Sequence, residues 1–361
     1  MPQPDPSITI SPSDSIGVGT PIRVVIADDS SFVRKALTLL LEEDPDIEVV
    51  GIASDGKMCL DLVESLSPDL LTLDLNMPLI DGLSVLRVLN HEFPLPVILV
   101  SSLAFEGAGA TLEALELGAV DFIAKQITPQ SLDIDLFRTD LIRKVKWAAR
   151  NFKPRDLSPG AQGKRRILKR TRQPRPQVGV VAIGASTGGP VALQNVIPML
   201  PPDFPVPVVV AQHIPAEFSP SLASRLDSKS SLTVREAQDG EQLEKGLVLI
   251  APGGQHLEIR HRARVKLLPN EKGNLRCPSV DRLFSSMAAI FSSGTLGVVL
   301  TGLGDDGLEG SQVVQRKGGQ ILVQNEATAM AYSMPGSVVE RGLADREAPL
   351  NLIAPEILRI L

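Results

Sequence analysis

From Ile22 onward, short apolar runs alternate with longer amphipathic stretches. The runs IRVVIA (22–27), IEVVGIA (47–53), DLLTLDL (69–75), PVILVSS (96–102) and VDFIA (120–124) have the length and β-branched or Leu-rich character of strands. Between them, SFVRKALTLLLEE (31–43) and GLSVLRVLNHE (82–92) repeat their apolar positions at helical spacing, and a last helix is expected around 131–149, carrying Trp147. Strands of this kind, each followed by a helix, predict a parallel sheet covered on both faces.

The same rhythm returns in VGVVAIGA (178–185), VPVVVAQ (206–212), GLVLIA (246–251), TLGVVLTG (295–302) and GQILVQ (319–324). HLEIRHRARVKLL (256–268) alternates instead and reads as an antiparallel hairpin at the surface. The halves share no sequence period. Residues 150–177 hold ten Lys/Arg, one acid and four prolines, the composition of an extended, self-repelling linker. Residues 1–21 are polar and Pro/Ser-rich, which predicts a disordered arm. The expected architecture is α/β: two doubly wound parallel-sheet domains, 22–150 and 178–361, joined by the basic linker 151–177.

Composition narrows the function. At 361 residues, two domains of roughly 100–200 residues each are expected. Aromatics are 3% and the net charge is −6, which argues against a nucleic-acid partner that needs stacking rings and a basic surface. Cys59 and Cys277 are the two cysteines, too few for a disulfide framework or a structural zinc site. No apolar run approaches the roughly 18 residues of a membrane span, and the N-terminus lacks the basic and apolar regions of a signal peptide, so a cytoplasmic chain without membrane insertion is expected.

In an open parallel sheet, chemistry gathers at the carboxyl ends of the strands. Asp28 and Asp29 follow the first strand, Asp74 closes the third, Ser101 and Ser102 end the fourth, and Lys125 follows the fifth. Three carboxylates in one place repel unless a hard cation such as Mg²⁺ joins them, and a Lys opposite can hold a phosphoryl group. One of these acids, Asp29, could alternatively be a helix N-cap.

In the second half, VGVVAIGASTGGP places Ser186 at a Gly-flanked strand-to-helix turn, where a hydroxyl is exposed beside free amides. Phosphate binding or simple packing would also use such glycines. A base must come from four histidines. His91 lies on a helix of the other half, and His261 sits exposed between Arg260 and Arg262. His256 follows APGGQ in a loop and remains a possible base, and His213 closes the strand VPVVVAQ at the same edge as Ser186, which makes it the first choice. TGLGDDG (301–307) offers Asp305 or Asp306 to orient the imidazole, and spacing does not choose between neighbours. Cys277 reads as a small packed hydrophobe.

VVIADDSSFVRKAL, LTLDLNMPLIDGL, PVILVSSLA and GAVDFIAK resemble the receiver domain of two-component response regulators over about residues 22–150. The resemblance implies a flavodoxin-like fold, with Asp74 as phospho-acceptor and Mg²⁺ on Asp28, Asp29, Asp74 and the Asn76 carbonyl. It also implies a switch set of Ser101, Phe122 and Lys125. Gln126 stands where that family has proline. IGASTGGP, AQHIPAEFS, LIAPGGQH, CPSVDRLF and VLTGLGDDG resemble, in order, the catalytic domain of the chemotaxis protein-glutamate methylesterases, a Rossmann-like α/β unit. That likeness implies Ser186 as nucleophile, His213 as base and Asp306 as orienting acid, with backbone support from Thr187, Gly188 and Leu303, the last replacing the usual Met. It implies no cofactor in the catalytic domain. Together the likenesses imply a phosphorylation-activated hydrolase that removes glutamate methyl esters from chemoreceptors and deamidates glutamines. Its expected partners are a chemotaxis-type sensor histidine kinase and methylated receptors, and its expected state is a monomer. A DNA-binding regulator and a non-catalytic scaffold are the competing classes. Salt-dependent DNA binding would favour the first, and an unlabelled Ser186 the second.

Overall fold

The structure is a computed structural model and describes residues 20–101, 105–125, 134–152, 166–168, 177–270 and 276–361. The arm at 1–19, most of the linker, Ser102 and Gln126 lie outside the described residues.

The first sheet contains β1 (Ile22–Ala27), β2 (Ile47–Ala53), β3 (Leu70–Leu73), β4 (Val97–Ser101) and β5 (Asp121–Ala124) in the parallel order β2-β1-β3-β4-β5. β3, β4 and β5 are buried along their whole length, as strands covered on both faces must be. Helices α1 (Ser31–Glu42) and α5 (Ile134–Asn151) cover one face, pressing Leu37, Leu41, Leu141 and Val145 onto Val24 and Ile26. Helices α2 (Gly56–Leu66), α3 (Gly82–Glu92) and α4 (Phe105–Glu116) cover the other. Ser30, Asp55 and Asp81 cap α1, α2 and α3, each side chain accepting a first-turn amide. Ser30 therefore does the capping that Asp29 might have done, and Asp29 is left exposed at the sheet edge.

The second sheet contains β6 (Arg166–Ile167), β7 (Val180–Ala185), β8 (Val208–Gln212), β9 (Thr233–Glu236) and β10 (Leu247–Ile250), with β13 (Thr295–Val299), β14 (Gln320–Gln324) and β15 (Arg346–Ala348). Its order is β6-β15-β14-β13-β7-β8-β10-β9, parallel except for the β6–β15 pair. Sequence reading missed β6, β9 and β15. All three are short and charged, and β6 and β9 lie at the edges, where one-sided burial leaves no continuous apolar run. Part of the expected linker, Arg166–Leu168, is thus docked on the second sheet: Arg166 and Ile167 pair with Glu347 and Arg346, and the Leu168 amide reaches the Asp345 carbonyl.

Helices α6 (Gly189–Val196), α7 (Ser219–Lys229), α8 (Val280–Phe291), α9 (Leu308–Arg316), α10 (Ser333–Glu340) and α11 (Leu350–Ile360) flank this sheet. The alternating segment forms the antiparallel pair β11 (Gln255–Arg260) and β12 (Arg264–Pro269), as expected. It is half-buried rather than superficial, because Leu257, Ile259 and Val265 join the core cluster with α8 and His256 is buried as well. β1 in the first sheet and β7 in the second each lie between strands reached in opposite directions, so each sheet has its switch-point crevice where chemistry was expected. Among the described residues no helix is long and apolar enough to cross a membrane.

Candidate active site

At the edge of the first sheet, carboxylate oxygens of Asp28, Asp29 and Asp74 all lie within 4.8 Å of one another. The Lys125 ammonium bridges Asp28 at 2.9 Å and Asp74 at 2.8 Å. One cation against three acids leaves the cluster negative, and an all-oxygen donor set of this kind suits Mg²⁺. The Asn76 amide lies against the Asp74 carboxylate. Burial pushes the Asp74 carboxyl upward more strongly than Lys125 holds it down. Burial would lower Lys125, but its bonds to Asp74 and Asp28 prevail and raise it. Ser101 is buried at the end of β4 and accepts from the Thr111 hydroxyl at 2.6 Å, while its carbonyl holds the Lys125 amide at 2.7 Å.

At the edge of the second sheet, Ser186 directly follows β7 and its amide is held by the Thr301 carbonyl at 3.0 Å. The Gly189 amide donates back to the Ser186 carbonyl at 2.7 Å, closing the turn, and Gly188 caps α6 in the left-handed region (φ 76°). The amides of Thr187, Gly188 and Leu303 have no acceptor among the described residues. Gly302 lets the following loop close onto Ser186: a Cβ there would stand 2.8 Å from Ser186 Cβ. These are the parts of an oxyanion site.

His213 follows β8, next to β7 in the sheet, with its amide on the Ala185 carbonyl at 3.0 Å. Its Nε2 lies 2.7 Å from Asp306 Oδ2. A carboxylate can only accept, so Nε2 carries the proton and Nδ1 keeps its lone pair as an acceptor. Asp306, not Asp305, faces the imidazole. Asp305 is half-exposed and paired with Arg276 at 2.7 Å.

Asp306 is also anchored at the N-terminus of α8, accepting from the amides of Val280 (2.8 Å) and Asp281 (2.9 Å) and the hydroxyl of Ser279 (3.2 Å). Asp281 returns the arrangement, accepting from Gly307 (2.9 Å) and Gly310 (2.6 Å) at the start of α9. Each acid thus sits on the positive end of the other's helix. Burial opposes charge at Asp306, but the bonds from His213 and the α8 amides hold its carboxyl down at about 2. Asp281, buried beside that charge, is pushed up to about 7. Of the two neighbours, Asp281 is the one driven up by burial beside a charge, and Asp306 the one held down by its bonds. Sequence reading missed Asp281, because a first-turn Asp looks like an ordinary helix acid.

The remaining histidines stay away from the chemistry. His91 and His261 are exposed, and His256, expected in a loop, is fully buried in β11, where Nδ1 accepts the Ser279 amide at 3.1 Å. Cys277 is buried, which pushes its thiol up to about 11, as fits a packed hydrophobe.

The two sites meet. Thr187, next to Ser186, donates to Asp121 Oδ2 of β5 at 2.5 Å. The Phe122 ring lies 4.5 Å from that of Phe218, and Arg225 grips Glu116 of α4 through two bonds of 2.6 and 2.7 Å, with Lys229 adding a third at 2.8 Å. The Arg225 and Lys229 bonds hold the Glu116 carboxyl down at about 2.

A family model described as CheB methylesterase matches residues 181–357, and one described as response regulator receiver domain matches residues 24–136. The protein-glutamate methylesterase/protein-glutamine glutaminase 1 of Oleidesulfovibrio alaskensis is 43% identical, over 93% of this chain and 98% of its own. The relative of that same name in Geobacter sulfurreducens is 41% identical over 94% and 97%. Among solved structures, the Thermotoga maritima CheB methylesterase catalytic domain is 42% identical over 52% of this chain and 100% of that one, with a TM-score of 0.49.

Proposed function

Because the chain belongs to the CheB methylesterase family, with a response regulator receiver domain ahead of its methylesterase domain, we propose that its two sites work as one device in which Asp74 governs access to Ser186. The chain is a protein-glutamate methylesterase and protein-glutamine glutaminase. It hydrolyses glutamate methyl esters on methyl-accepting chemotaxis receptors with loss of methanol, and glutamine side-chain amides with loss of ammonia.

The observation that carries the catalytic assignment is the 2.7 Å bond from His213 Nε2 to buried Asp306, one strand from Ser186. Ser186 Oγ attacks the ester carbonyl as its proton passes to His213 Nδ1, and the oxyanion falls among the amides of Thr187, Gly188 and Leu303. His213 then returns the proton to the departing methoxide, leaving an acyl group on Ser186. Water, deprotonated by the same nitrogen, frees the glutamate carboxylate and restores the serine. A fluorophosphonate should label Ser186 in the wild-type chain and leave Ser186→Ala unlabelled, and methanol release by Ser186→Ala should fall roughly 10⁴-fold or more. Near-normal release by Ser186→Ala would overturn the assignment.

Asp28, Asp29, Asp74 and the Asn76 carbonyl would hold Mg²⁺, which would offset the charge of a phosphoryl group arriving at Asp74. Asp74 accepts that group as an acyl phosphate, and Lys125 exchanges a carboxylate partner for a phosphoryl oxygen. The contacts of Asp121, Phe122 and Glu116 with the second half support a closed state in which residues 22–150 cover the Ser186 edge of residues 178–361, tethered by residues 151–177. Phosphorylation, relayed by Ser101, Phe122 and Lys125, shifts the population toward the open state. In this reading the phosphodonor is a chemotaxis-type sensor histidine kinase, and the enzyme acts as a cytoplasmic monomer needing no cofactor in its catalytic domain.

A further inference from the structure

We propose that Gln212 is a positioning residue that ties nucleophile and base into one unit through a single side-chain amide. The inference rests on the reading of Ser186 as nucleophile and adds a residue that acts through it. Gln212 is the last residue of β8, 2% exposed, and paired in register with Ala185. Its Nε2 donates at 2.9 Å to the Ser186 carbonyl and at 2.9 Å to the His213 carbonyl, so both amide hydrogens are spent on the two catalytic segments. Both partners are acceptors, which fixes which end of the amide is nitrogen. The other end, Oε1, is buried, has no hydrogen-bond partner among the described residues, and lies against Gly189, where any Cβ would overlap it. A buried amide that meets only half its bonds is uncommon. Here the half that is met holds the chemistry.

The consequence follows from peptide planarity. The Ser186 carbonyl and the Thr187 N–H belong to one trans peptide unit and point in opposite directions. Gln212 and the Gly189 amide pin that carbonyl from the β8 and α6 sides. The Thr187 N–H, without an acceptor among the described residues, is thereby aimed away from them, as an oxyanion donor must be. The same Nε2 pins the peptide that follows His213, so the spacing of base and nucleophile is set by one rigid group. Misplacement on the scale of an ångström costs on the order of 100-fold in rate.

The test compares wild type, Gln212→Met (similar length, no donor) and Gln212→Asn (donor kept, reach shortened) as full chains with Mg²⁺ and a small phosphodonor. Methanol release from methylated receptor membranes is expressed per site titrated to completion with a fluorophosphonate. The expected result is a kcat about 10–100-fold lower in both variants, with KM within about twofold of wild type. A purely structural role would lower the number of titratable sites and leave kcat per site unchanged. A kcat per site within about twofold of wild type in either folded variant overturns the proposal. Failure of both to give a titratable, cooperatively unfolding protein also overturns it, by assigning Gln212 to the fold. Ser186→Ala, run beside them, separates this outcome from a failure of the nucleophile assignment itself.

Discussion

Asp306 receives four hydrogen bonds, from an imidazole, a hydroxyl and two backbone amides. These bonds favour its ionised form, and in the proposed mechanism Nε2 of His213 then carries the proton while Nδ1 serves as base. Asp306→Asn keeps the shape but offers an N–H where a lone pair is needed. We expect kcat for methanol release to fall on the order of 10⁴-fold with little change in KM, and a loss under tenfold would contradict the assigned tautomer. Asp281 makes the opposite case. Its carboxyl is raised in the folded chain to about 7, so the stability it contributes is complete below the unfolded value of 3.8 and lost as pH rises through about 7. Both amides it accepts use the same oxygen, which Asn retains. Asp281→Asn should thus gain thermal stability relative to wild type as pH rises from 5 to 8. A stability difference that stays flat, or turns against Asn, would show that the proton is not on Asp281.

Among elements, the most consequential contact is that of α4 and β5 with α7 and the turn before α6. Glu116, with Arg225 and Lys229, lies partly exposed, so each ion pair contributes only about 0.2–1 kcal/mol and weakens with salt. Glu116→Gln should raise the basal methanol release of the unphosphorylated chain a few-fold, and added salt should do the same to wild type but less to the variant. Asp121→Ala, which removes the partner of the Thr187 hydroxyl, should act in the same direction. Unchanged basal rates in both would rule out these contacts as the closure. The central strands were legible in the sequence because they are apolar on both faces, and the αβ rhythm followed from them. β9 and β15 were not legible, since short charged strands carry no periodic signal, and β6 was hidden in a basic run read as linker. Ser186 and His213 were legible as strand-end residues. Spacing alone did not separate Asp306 from Asp305, and Asp281, Gln212 and Asp121 emerge only from contacts between distant parts of the chain.

At the scale of the whole molecule, the proposed phosphorylation site and the proposed hydrolase site lie each at the carboxyl edge of its own sheet, and the two domains touch where the start of β5 meets the Ser186 turn. Phe122 joins them. It lies three residues before Lys125, the cation on Asp74, and its ring rests on Phe218 at the start of α7. In the proposed switch, a change at Asp74 that moves Lys125 would reach the Phe122–Phe218 contact within a few residues, without a long relay. The most direct test is methanol release from methylated receptor membranes by the full chain, with and without Mg²⁺ and a small phosphodonor, in wild type and Asp74→Asn. The account predicts release that rises with phosphodonor in wild type and does not rise in Asp74→Asn. Release that ignores the phosphodonor, or rises equally in both, would contradict it.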